Sequence, residues 1–126
     1  MKLFSFDIDG TMEIGSPPGV VPVEMVRKAK QLGYFVGSAS DRPISDQKGI
    51  WADRGIQVDF VVLKHNIGEI KARFQADEYF HIGDTDVDRY FAEKAGFHFL
   101  LPQPFDEASW PFTASKNGSN NNGQSS

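Results

Sequence analysis

Four polar clusters stand where apolar segments of the chain end: Asp7-Ile8-Asp9-Gly10-Thr11, the run from Ser38 to Arg42, Lys64, and Gly83-Asp84 with Asp88. Carboxylates gathered in a cleft of reduced dielectric repel one another strongly. A hard divalent cation with oxygen ligands is the simplest relief, and magnesium typically binds through one or two carboxylates plus water and substrate phosphate. A phosphoryl substrate then suits the remaining groups. Lys64 would join the metal in neutralising phosphate charge, the hydroxyl of Ser38 or Ser40 would donate to a phosphoryl oxygen, and Gly10 would let the backbone approach closely. With the phosphate so held, an ionised aspartate can act as a nucleophile.

Such side chains must be positioned by the elements between them. Apolar bursts at Leu3 to Phe6, Tyr34 to Val36, Val58 to Leu63, Tyr79 to Ile82 and Phe97 to Leu101 predict five short, mostly buried strands. Helical spacing fills the gaps. One helix is predicted from about Pro22 to Leu32, with Met25, Val26, Ala29 and Leu32 on one stripe and Gly33 behind it. A second spans Pro43 to Arg54, with Gly49 interrupting a ragged stripe. A third opens at Asn66, where Glu69 three residues on resembles a capping box and Ile67, Ile70 and Phe74 share a face. A fourth places Val87, Tyr90, Phe91 and Ala95 on one face, with Gly96 as its stop.

Strands alternating with helices predict an α/β domain with a five-stranded parallel sheet, right-handed crossovers and helices on both faces. In such sheets ligands bind beyond the carboxyl ends of the strands, so the residues from Asp7 to Asp88 should converge there. Residues 12–20 are rich in turn formers and could form a small flap over the end of the first strand.

With 126 residues, 40% of them apolar, the chain can build one core but not two. The expected organisation is a core over residues 1–102 and a C-terminal extension over 103–126. From about residue 113 that extension consists almost wholly of Ser, Thr, Asn, Gly and Gln, a composition expected to be disordered. The net charge of −4 does not indicate nucleic acid or anionic lipid as a partner. With no cysteine, thiolate zinc sites, disulfides and cysteine nucleophiles are excluded. The first carboxylate comes too early for a signal peptide or a membrane span, so a cytoplasmic protein is expected.

Asp7-x-Asp9-Gly10-Thr11 after an apolar strand resembles the first motif of the haloacid dehalogenase superfamily, and Gly83-Asp84-Thr85-Asp86-Val87-Asp88 resembles its fourth. Ser40-Asp41-Arg42-Pro43 is similar to the second motif of some relatives, with Asp41 standing where many of them have glycine. The resemblance covers about residues 2 to 101 and implies a single Rossmann-like, three-layer α/β/α domain whose five-stranded parallel sheet has the order 3-2-1-4-5. It implies a magnesium-dependent phosphomonoesterase in which Asp7 is the nucleophile and forms an aspartyl-phosphate. Asp9 would protonate the leaving oxygen and then activate water. The implied metal set is Asp7, Asp84, the backbone carbonyl of Asp9, and Asp88 acting through water. Lys64 would be the third-motif lysine, with Lys71 as the fallback. Phosphate would be held by Gly10, Ser40 and Lys64, with Ser38 the alternative to Ser40. Neither the interval from Thr11 to Ser40 nor that from Ser40 to Lys64 has room for a cap domain. The resemblance therefore implies an open site, suited to a phosphorylated substrate that is bulky or macromolecular, or a site covered by a neighbouring subunit in a homo-oligomer.

Other classes remain in view. A signalling receiver domain uses similar groups, but it carries its lysine on the last strand, whereas Lys64 precedes Asp84. A phosphotransferase and a metal-binding interaction module are the alternatives to hydrolysis. Among residues with bland readings, His81 and His98 are expected to be packed, hydrogen-bonded strand histidines and His65 to lie off the substrate. Trp51, Trp110 and Phe112 are expected in the core or docking the tail.

Overall fold

The first strand, β1 (Lys2–Phe6), lies in the middle of the sheet and explains why its residues are so apolar: it has a parallel neighbour on each side. The computed structural model describes residues 1–104 and 106–112. Along these run α1 (Val23–Gln31), β2 (Phe35–Ser40), α2 (Ile44–Asp53), β3 (Phe60–Leu63), a 3₁₀ turn at Lys64–Asn66, α3 (Gly68–Arg73), β4 (Glu78–Ile82), α4 (Asp86–Lys94) and β5 (His98–Leu100). The sheet is parallel throughout, in the order β3-β2-β1-β4-β5. The expected α/β class and strand order are thus present, and no further domain is inserted between the strands. No helix among the described residues is long and apolar enough to cross a membrane.

Strand alternation splits the core into two layers. Phe4, Phe6, Val36, Phe80 and Ile82 face one way and pack with Val23, Met25, Val26 and Ala29 of α1 and Trp51 of α2. Leu3, Ala39, Phe60 and Val62 face the other way, against Ile70 of α3 and Ala92 of α4. Each large side chain buried this way contributes roughly 1.5–3 kcal/mol of transfer free energy. Among the described residues two helices pack on the first face, and the β1–β4 part of that face has another cover. Trp110 and Phe112 provide it, with ring centroids 6.3 Å from Phe6 and 4.6 Å from Phe4 respectively. Lys2 donates to the Pro111 carbonyl at 2.8 Å, and the Tyr34 hydroxyl donates to that of Phe112. The packed unit therefore continues past residue 102 to Phe112. The tail expected to be disordered from about 113 lies outside the described residues.

Several local expectations are corrected. Strand β2 runs four residues beyond Val36, because Ser38 and Ser40, polar enough to suggest a strand end, are buried within it with hydrogen-bond partners. Helix α3 has no capping box: Asn66 belongs to the preceding 3₁₀ turn, and Ile67 caps the helix without a side-chain bond. A capping box is present instead at Thr85, which accepts from the Asp88 N–H while Asp88 accepts from the Thr85 N–H. That cap turns Asp88 and Ala92 inward, and so Val87 and Tyr90, expected on the core face of α4, are 50% and 57% exposed. Leu32 lies just beyond α1 and is exposed as well. His98 is exposed at the sheet edge, its ring centroid 5.1 Å from that of Phe80, rather than packed and hydrogen-bonded inside.

Candidate active site

The carboxyl ends of β1, β2 and β4 and the turn after β3 meet at one cleft of about 250 Å³, whose walls include Asp7, Asp9, Gly10, Ser40, Lys64 and Asp84. Asp7 extends β1 by one residue, its N–H donating to the Ile82 carbonyl at 2.9 Å. Its side chain is almost wholly buried. Thr11 returns through a turn, placing its hydroxyl 3.0 Å from Asp7 Oδ2 and 3.3 Å from Asp84 Oδ1. Gly10 makes that turn at φ +76°, and a Cβ there would sit 2.2 Å from Asp84 Oδ2. A Cβ on Gly83 would likewise sit 2.3 Å from Asp88 Cγ. Both glycines are required by the close approach of a carboxylate.

Asp7, Asp84 and Asp88 each offer one carboxylate oxygen, all within 4.8 Å of one another. An all-oxygen, multiply anionic donor set of this size fits a hard divalent cation. The three are not equally available. Asp88 is wholly buried: its Oδ1 lies 2.9 Å from His81 Nε2 and 3.1 Å from Lys64 Nζ, and its Oδ2 accepts from the Thr85 hydroxyl at 2.8 Å and the Thr85 N–H at 3.3 Å. With protein donors on both oxygens, it suits an outer contact to a cation better than a direct bond. Asp84 is exposed and, with Asp7, presents the open oxygens. The side chain of Asp9 stands apart from this set, leaving its backbone carbonyl as the atom the expectation named.

Asp9 is instead clasped by Arg42. Nε donates to both carboxylate oxygens at 3.0 Å, Nη2 donates to Oδ1 at 2.9 Å, and the Ser16 N–H from the loop after β1 adds a bond at 2.8 Å. That loop folds back as the expected flap, with the Gly10 N–H donating to the Pro17 carbonyl at 2.7 Å and Met12 bridging to Val21.

Lys64, buried at the end of β3, sits 3.4 Å from Asp7 Oδ1 and 3.6 Å from Asp41 Oδ2 in addition to its contact with Asp88. Lys71, the fallback, lies elsewhere, its ammonium donating to the Gly96 carbonyl and resting over the Tyr79 ring. Of the two candidate serines, Ser40 lines the cleft, and its hydroxyl accepts from the Arg42 N–H at 3.1 Å. Ser38 is in the core, donating to Gln47 Oε1 at 2.7 Å and accepting from Trp51 Nε1 at 3.0 Å. His65 is exposed; Trp51, as expected, is in the core.

Burial, and then the charge of Asp88, push the Asp7 carboxyl up to about 7 against the pull of Lys64. Burial alone would lower Lys64, but Asp7 and Asp88 outweigh it and raise the ammonium above its ordinary value. For Asp88 burial is again opposed, here by the bond from His81 and by Lys64, and the net shift is downward. Asp9 is also lowered, because the bonds from Arg42 and Ser16 overcome its partial burial.

Three functional contacts were not named from the sequence. Arg42 was seen in its motif but given no role, since its pairing with Asp9 joins two loops. Thr85 carried a readable signal, a threonine three residues before an acid at a helix start. His81 had none, because its partner Ser5 is its register neighbour across β1 and β4, a relation that emerges only once strands pair. Ser5 Oγ lies 2.9 Å from His81 Nδ1. A neutral imidazole carrying its proton on Nε2 satisfies both neighbours, accepting from Ser5 and donating to Asp88.

No known family model matches this chain, and no curated protein matches it at a significant level.

Proposed function

We propose that the chain is a magnesium-dependent phosphomonoester hydrolase of the haloacid dehalogenase type, working through an aspartyl-phosphate on Asp7. The observation that carries the reading is the environment of Asp7: a desolvated carboxylate flanked by Thr11 and Lys64, with Asp84 beside it and Ser40 on the same cleft. Magnesium, when bound, would supply positive charge that neutralises the phosphoryl oxygens and the crowded carboxylates. Asp7 and Asp84 would hold it directly, with the Asp9 carbonyl, and Asp88 would serve as an outer partner.

The protein's own groups do the rest. Lys64 pairs with phosphoryl charge and, with the cation, favours the ionised form of Asp7, the Ser40 hydroxyl donates to a phosphoryl oxygen, and Asp7 attacks phosphorus as the P–O bond to the alcohol breaks. Asp9, held in place by Arg42 and carrying a proton taken from the bound phosphomonoester monoanion, gives that proton to the departing oxygen. In the second half, Asp9 takes a proton from water while the water oxygen bonds to phosphorus and Asp7 is freed. Among the described residues, the short flap is the one segment beside the cleft beyond the strand ends and the turns that follow them, so we read the site as open to phosphorylated substrates of varied size, or covered by a second copy of the chain. Such chemistry belongs in the cytoplasm, where magnesium and phosphorylated substrates coexist. Hydrolysis of an aryl phosphate, dependent on magnesium, abolished by excess chelator and lost in Asp7→Asn, tests the proposal; turnover surviving in that variant would refute it.

A further inference from the structure

The buried side chains of α2 are Trp51 and, one turn before it, Gln47, which is polar and yet wholly removed from solvent. A buried amide has to find its partners inside the protein. Gln47 finds them on both of its sides. Its Oε1 accepts from the Ser38 hydroxyl at 2.7 Å, and its Nε2 donates to the Arg42 carbonyl at 2.9 Å and the Val62 carbonyl at 3.1 Å, with the Ser40 carbonyl farther off at 3.5 Å. The partners decide which end of the amide is which. Turned over, it would aim its oxygen at backbone carbonyls, which have no proton to give.

These bonds lie where the pairing of β2 with β3 stops, at Ser40 opposite Leu63. Past that pair the two chains part. One amide donating to both Arg42 and Val62 ties the turn after β2 to the strand that carries Lys64 at its end. Three groups of the proposed site hang on this tie. The Ser40 hydroxyl accepts from the Arg42 N–H, the Arg42 guanidinium clasps Asp9, and Lys64 stands two residues beyond Val62 and 3.4 Å from Asp7.

We propose that Gln47 is a positioning residue, whose amide sets the spacing at which Ser40 and Lys64 engage one phosphoryl group and at which Arg42 presents Asp9. The inference rests on the phosphomonoesterase reading and adds to it a residue that lies behind the cleft. Gln47 touches no substrate. It acts through geometry, and a displacement of about 1 Å at reacting groups can cost on the order of 100-fold in rate.

Two variants and a control test the role. Gln47→Met keeps the length of the side chain and removes all of its bonds, and Gln47→Glu keeps an acceptor for Ser38 but cannot donate to both carbonyls. Trp51→Phe deletes the indole N–H that donates to Ser38 and weakens the same face of α2, while leaving Gln47 its bonds to Arg42 and Val62. Hydrolysis of an aryl phosphate in magnesium, with inorganic phosphate as competitive inhibitor, is measured on the full chain well below each melting temperature. Both Gln47 variants should lower kcat about tenfold and raise the inhibition constant of phosphate about tenfold, whereas Trp51→Phe, with a comparable fall in melting temperature, should keep both within about twofold. Should Gln47→Met fail to fold, Gln47→Glu carries the comparison. Wild-type constants in a folded Gln47 variant, or equal losses in Trp51→Phe, would overturn the positioning role and leave the phosphatase reading standing. No turnover in the wild type would overturn that reading and this inference with it.

Discussion

The imidazole of His81 and the carboxylate of Asp88 meet at 2.9 Å with both side chains wholly removed from solvent, at the inner end of a chain of polar contacts that runs from Ser5 to Asp7. Through Asp88, His81 fixes where the Lys64 ammonium rests. Lys64 in turn is shared between Asp88 and the proposed nucleophile, so a residue with no place in the cleft sets the electrostatics of one that has.

His81→Phe should therefore be felt twice. Removing the imidazole that bonds both Ser5 and Asp88 in the interior should lower stability by about 1–3 kcal/mol in urea unfolding. Asp88 would then lean on Lys64 and draw the ammonium from Asp7, and kcat for an aryl phosphate should fall about tenfold. A variant as stable and as active as the wild type would show that the buried chain positions nothing.

Arg42 holds Asp9 through a fork of three hydrogen bonds that an ammonium cannot reproduce. Arg42→Ala should lower kcat by roughly 10–100-fold through loss of Asp9 positioning. Arg42→Lys should recover little of it. Full activity in the lysine variant would mean that positive charge, and not the fork, is what Asp9 requires.

The strap formed by Trp110 and Phe112 should matter as much as any helix. Trp110→Ala or Phe112→Ala is expected to cost about 3–5 kcal/mol, and a chain ended after residue 102 should fail to give a cooperative melt. An unchanged melting temperature after that truncation would show that the β1–β4 face does not need its cover.

Without metal, Asp7 has a raised folded-state value of about 7 against an ordinary 3.8. Its protonation stabilises the fold fully below about pH 4, and this contribution, on the order of a few kcal/mol, fades as pH climbs through 7. Asp88 and Asp9 are lowered, so they act in the opposite sense, losing their contribution as pH falls through the acid range. Between pH 6 and 8 the Asp7 change dominates. A cation competes with the Asp7 proton, so the rise in melting temperature on adding magnesium should be larger at pH 8 than at pH 6. A rise independent of pH would place the cation away from Asp7.

The parallel sheet and the gathering of Asp7, Ser40, Lys64 and Asp84 at one edge were legible in the sequence, because alternating apolar strands and helices dictate which ends share a side. Departures arose where a polar residue is satisfied internally. Ser38 looked like a strand end, yet Gln47 and Trp51 complete its bonds inside β2. Asp88 displaced the expected stripe of α4, since a carboxylate paired with His81 and Lys64 can take a core position that spacing assigns to valine. The Asp9–Arg42 clasp and the docking of Trp110 on Phe6 depend on which loops and faces the finished topology leaves adjacent, and no local pattern carries that.

The most direct test of the central claim is mass spectrometry of the Asp9→Asn chain, quenched in acid after incubation with an aryl phosphate and magnesium. We predict the mass of one added phosphoryl group on the peptide that contains Asp7, absent from Asp7→Asn. Hydrolysis proceeding in the wild type with no such adduct trapped, or an adduct mapped to any other residue, would contradict the account.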